Sequence, residues 1–175
     1  QIGRTSVYPL CTAMESLDAA TQQTICGMLT EIGYEHAVPA LRGLAEDSAN
    51  TVDVREAAEV ALRSLGANTS VSLSAAWADL SVSHFKGFAS LLPYPADAEN
   101  MIWAYDDFTG LQGTPVATEI YHSVRSMQAA ARSVALDPNN DYGVALYAAA
   151  NLRRENRADT AGVTDPVYGD QDRSP

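Results

Sequence analysis

Apolar residues recur along most of the chain at every third or fourth position, the period of a helix with one buried face. No stretch alternates convincingly in the manner of a half-buried strand. The pattern predicts about eight helices. The first covers residues 7–17, with Leu10, Met14 and Leu17 on one face. Asp18 is placed to cap the second, which turns Ile25, Met28, Leu29 and Ile32 inward and stops at Gly33. The third spans 36–46, with Pro39 in its first turn, where a missing N–H costs little. After a polar turn at 47–51, the fourth runs to Gly66 on a stripe of Val54, Ala58, Ala61, Leu62 and Leu65.

A polar loop at 67–72 precedes a fifth helix over 73–92, which Pro93-Tyr94-Pro95 breaks. A sixth is expected over 96–108, carrying Met101, Ile102 and Tyr105. Residues 109–113 read as a Gly-rich turn, and Thr114-Pro115 as the cap and first residue of a seventh helix over 115–136. Asp137-Pro138-Asn139-Asn140 stops it, and an eighth covers 142–156. Residues 157–175 are polar and aperiodic, which predicts an extended or disordered tail.

Residues 34–66 resemble a HEAT repeat of the bacterial kind. The resemblance rests on Pro39 early in the first helix, Asp47 in the turn, Val54-Arg55 at the start of the second helix, and its Ala57, Ala58, Ala61, Leu62, Leu65, Gly66 sequence. Residues 24–33 look like the second helix of a preceding repeat, whose first helix would be 7–17. Residues 133–152 resemble, more faintly, a junction between tetratricopeptide repeats. The resemblance implies that Pro39, Asp47, Val54, Arg55 and Gly66 are structural, with Asp47 and Arg55 bonding between neighbouring repeats. It also implies an all-α fold: a short right-handed α-solenoid of stacked antiparallel helix pairs with a C-terminal tail. The domains expected are HEAT-like repeats over 1–66, further hairpins packed on them over 67–156, and a polar tail over 157–175.

The charge narrows the range of partners. Twenty-two acidic against 11 basic residues leave a net charge of −11. That disfavours a nucleic-acid phosphate backbone, which needs clustered Lys and Arg, and an anionic membrane surface. No apolar run is long enough for a membrane span. Cys11 and Cys26 fit no metal or redox spacing, and a disulfide between them and two buried thiols are both open. The sequence starts at Gln1, which suits export after signal-peptide removal or a fragment of a cytoplasmic protein; the location stays unknown. Asn68-Thr69-Ser70 is a glycosylation sequon in an expected loop.

Candidate chemistry is sparse. The three histidines, His36, His84 and His122, are not spaced as a local metal pair, and His84 beside Phe85 and Phe88 reads as a packed core residue. Asp106, Asp107, Glu119 and His122 form the best polar grouping. Glu119 and His122 resemble one Glu-x-x-His of a di-iron bundle, but no second copy exists. No nucleophile elbow, phosphate loop or zinc-protease motif occurs. No catalytic, metal or cofactor site is therefore assigned. Trp77, Tyr94 and Trp103, near the proline break, and Tyr168 in the tail are candidate partner contacts, since interfaces favour Trp and Tyr. The expected role is non-catalytic: an acidic scaffold acting through other protein chains as a structural or accessory subunit. The alternatives are a ligand- or chromophore-handling accessory protein, as in the HEAT-like phycobilin lyase family, or a metal-binding helical bundle.

Overall fold

The computed structural model describes residues 3–169, which form seven α-helices, three short 3-10 turns and one two-stranded antiparallel sheet. The helices are α1 (Val7–Met14), α2 (Ala19–Ile32), α3 (Val38–Glu46), α4 (Val52–Ser64), α5 (Leu73–Phe85), α6 (Thr118–Leu136) and α7 (Asp141–Ala161). Strands β1 (Glu99–Asp106) and β2 (Gly110–Ala117) separate α5 from α6. The protein is thus mixed α/β, mostly helical, and the all-α solenoid expectation is overturned by the hairpin at 99–117.

The hairpin replaces the expected sixth helix and the start of the seventh. Its buried positions on β1 are Asn100 and Ile102, so the inward face opens on a polar residue and the period of two is hidden in the apolar pattern. Asn100 is buried because its amide is fully used. Its oxygen accepts from the Tyr94 N–H at 2.9 Å, and its NH2 donates to the Tyr94 carbonyl at 3.0 Å and the Thr118 hydroxyl at 2.8 Å. The turn is made by Asp106. One carboxylate oxygen accepts from the N–H groups of Phe108 and Thr109 and from the Thr109 hydroxyl, and Gly110 closes the turn at φ +74°. These donors, the Thr109 N–H foremost, hold the Asp106 carboxyl below its ordinary range.

The described residues divide into two compact units, 3–73 with 103–112 and 74–102 with 113–169. In the first, α1 packs on α2, and both α2 and α3 pack on α4. Asp18 caps α2 through the N–H groups of Ala20 and Thr21, and Gly33 at φ +74° ends it. Val7, Met14, Leu29, Leu41 and Val54 are among its fully buried side chains. Arg42 is buried as well, bonding Glu46 at 2.6 Å and donating to the Ser72 carbonyl at 3.3 Å.

In the second unit, α6 and α7 form a long antiparallel pair, and α5 lies against α6 through small residues. Two reciprocal serine pairs mark that seam. The Ser74 hydroxyl donates to the Ser133 carbonyl at 2.9 Å, and the Ser133 hydroxyl donates to the Ser74 carbonyl at 2.7 Å. Two turns along, Ser81 donates to the Ser126 carbonyl at 2.8 Å, and Ser126 returns the bond to the Ser81 carbonyl at 3.0 Å. A hydroxyl reaches the neighbouring helix's main chain only when the backbones lie very close, and Ala78 and Ala130 between the pairs permit this. Asn140 donates to both Ser74 Oγ and Ser133 Oγ and caps α7 by accepting from the Gly143 N–H at 3.0 Å.

The tail expectation also fails over the described residues. Helix α7 continues to Ala161, and Val163, Val167 and Tyr168 pack against Ile102, Val116, Ile120, Tyr121, Val124 and Ala158. Arg154 holds the segment down: buried in α7, it pairs with buried Asp165 at 2.7 Å, donates two hydrogen bonds to Asn151 Oδ1, and lies under the Tyr168 ring. Residues 170–175 lie outside the described residues.

The close seam makes two predictions. Ser126→Ala should cost about 1–2 kcal/mol from lost hydrogen bonds. Ser126→Val, which forces a larger side chain between the backbones, should cost about 2–4 kcal/mol. Urea melts decide, and equal stability of the two variants would show that the spacing of the helices is not limiting. At the other end of α7, Arg154→Met leaves Asp165 buried without its cation and should destabilise by about 3–5 kcal/mol. Asp165→Asn should cost less, because Arg154 keeps a second carboxylate, Glu155, at 3.5 Å and the amide oxygen can still accept from it; thermal denaturation compares them.

Candidate functional site

The structure brings together two histidines that lie 38 positions apart in the sequence. His84 ends the last turn of α5, and His122 lies in the second turn of α6. Their Nδ1 atoms are 3.2 Å apart in the second unit's interior. One ring donates and the other accepts, so only one Nδ1 carries a proton. The Tyr121 ring meets both imidazoles edge-on, at 6.3 Å from His84 and 5.9 Å from His122. Tyr121 is fully buried, and its phenol pKa is raised by that burial.

Two arginines of α7 border the pair. Arg153 stacks on the Phe85 ring, 4.9 Å from its centroid, and donates to the Phe85 carbonyl at the end of α5. Arg157, one turn on, donates to the Glu119 carbonyl at 3.2 Å. Burial, then the charges of Arg157 and Arg153, push the His122 pKa down to about 4. The site is thus a hydrogen-bonded imidazole pair, with His122 held neutral, beside two cations. Such a site repels metal cations, and among the described residues no three His, Cys, Asp or Glu side chains gather as a metal shell. Glu119 is exposed, while its partner in the expected Glu-x-x-His, His122, turns to His84. Asp106 serves the hairpin turn.

The HEAT-like positions fall in the first unit. Pro39 sits in the first turn of α3 and is buried; Val54 is fully buried in α4; Gly66 lies just past α4 at φ +64°. Asp47 and Arg55 do not bond each other. The Asp47 carboxylate accepts from the Ala49 N–H at 2.9 Å within its own turn, and Arg55 Nε is buried with no hydrogen-bond partner. His36 is a core residue between the rings of Tyr8 and Tyr34. Cys11 and Cys26 form no disulfide, and burial raises the Cys26 thiol to about 11. Asn68 is exposed, in a loop.

The aromatic candidates separate. Trp77 is half-buried against Leu80, Leu91 and Ala129, with Arg132 over its ring at 5.5 Å. Trp103 is half-buried on β1, and Tyr94 is exposed. Tyr168 has an intramolecular place over Arg154, and burial raises its phenol to about 12. Large apolar side chains are exposed elsewhere as well, Val52 and Val60 of α4 among them. Phe108, at the hairpin turn, is 96% exposed, and α7 turns Tyr142, Val144 and Leu152 outward at 57%, 51% and 62%. No helix among the described residues is long and apolar enough to cross a membrane. No family model matches the chain, and neither a curated protein nor a solved structure matches it.

The depressed pKa of His122 sets a pH dependence. The unfolded chain takes up this proton near pH 6.5 and the folded chain only near 4. The native state therefore binds fewer protons across that window, and stability falls as pH drops through it. Discounted for solvent screening, the loss is on the order of 1–2 kcal/mol. His122→Asn should flatten this part of the stability profile, as chemical denaturation at stepped pH will read.

Proposed function

We propose that the chain is a non-catalytic, mostly helical protein that binds other protein chains, as a structural or accessory subunit of an assembly. The observation that carries this reading is the outward face of α7, where Tyr142, Val144 and Leu152 stay exposed on a helix whose other face is packed on α6. Ala145 and Ala148 lie among them and are exposed too, so a partner helix can approach without steric obstruction. Large apolar groups left in water on one face of a long helix are the usual mark of a contact surface. Phe108 at the hairpin turn has the same character. The acidic charge supports protein partners over nucleic acid. The HEAT-like spacing of Pro39, Val54 and Gly66 supports the repeat reading of the first unit.

Native mass spectrometry of the protein purified from its source tests the proposal. A defined complex with other chains is expected, with no added non-protein mass. Leu152→Asp and Tyr142→Ser should weaken it about tenfold or more, as for buried anchors of an interface, and leave the melting temperature nearly unchanged. A monomer carrying bound non-protein mass, or a complex insensitive to both substitutions, would overturn the assignment.

A further inference from the structure

The arginines beside the histidine pair lack what the two fully buried arginines described above have. Arg42 has Glu46, and Arg154 has Asp165. Among the described residues, Arg153 and Arg157 form no ion pair, in a chain with 22 acidic residues. Each guanidinium is instead anchored by one hydrogen bond to a main-chain carbonyl, and that of Arg153 lies over the Phe85 ring. Those anchors fix both groups at the two ends of the imidazole pair: Phe85 follows His84, and Glu119 lies one turn before His122. Two like charges one turn apart repel, and the desolvated Arg153 feels Arg157 as well as its own burial. Most of the donors of each fork stay uncommitted, since a guanidinium has five N–H groups.

We propose that Arg153 and Arg157 form a binding site for a small oxyanion, a carboxylate or a phosphate group, at the rim of the His84–His122 pair. The oxyanion takes charge-assisted, two-pronged hydrogen bonds from guanidinium groups already oriented by their carbonyl anchors, so little side-chain freedom is lost on binding. It also reverses the positive field on His122. The inference goes beyond the protein-binding reading and does not depend on it, because a free ion and an acidic group of a partner present the same chemistry.

Imidazole NMR resonances of the full chain, titrated with sodium phosphate and separately with sodium acetate at constant ionic strength, test it. A saturable shift of His122 and a rise in its pKa are expected. Tighter binding of phosphate would assign a phosphate ligand, and tighter binding of acetate a carboxylate. Arg157→Gln, whose bond is at the surface, should weaken binding about tenfold or more with the fold intact, and Arg157→Lys should restore part of it. Arg153→Gln should act in the same direction. Shifts that rise without saturation, that chloride reproduces, or that persist unchanged in both Gln variants would overturn the site.

Discussion

The second unit depends on how closely α5 and α6 approach. The four serine hydroxyls at their seam bond main-chain carbonyls of the opposite helix rather than their own. That arrangement satisfies buried hydroxyls that would otherwise cost about 1–3 kcal/mol each, and it does so only at short backbone separation. Everything further along the seam inherits that geometry. His84 and His122 come within 3.2 Å because the helices bearing them are already in contact. Asn140 ties the start of α7 to the first serine pair, so the long α6–α7 pair is placed by the same contact.

The histidine pair and the arginines around it form a continuous electrostatic system. Burial keeps His122 neutral, and the arginines reinforce this from the outside. A neutral pair sharing one proton suits a low-dielectric interior, whereas an imidazolium there would face both Arg153 and Arg157 with no nearby anion among the described residues. The contrast with Arg154 is instructive. That cation is deeper, yet Asp165, Asn151 and the Tyr168 ring enclose it, and it serves to fasten the segment after α7.

Much of the first unit was legible from local signals. Asp18, Gly33, Pro39 and Gly66 mark helix ends by backbone chemistry that acts over a few residues, and the observed boundaries follow them closely. The second unit was less so, because its organising contacts are polar and distant in sequence. The serines of α5 and α6 look like interruptions in an apolar stripe unless the two helices are laid side by side. Asn100 disguises β1, and β2 carries Gly113 and Pro115, which break any strand pattern. Asp165 reads as tail polarity because its charge is judged without its partner, Arg154 of the expected eighth helix. The histidine pair had one available signal: two histidines at matching ends of consecutive apolar helices.

The spacing of the serine pairs carries a consequence for register. Slid by two helical turns, α5 and α6 would still bring one serine of each into opposition. The displaced alternative, however, strands one hydroxyl from each helix and parts the imidazoles, leaving several buried polar groups without partners. Polarity within this interior thus penalises the shifted alignment that the serine spacing would itself allow, a task that apolar side chains of the same size would leave undone.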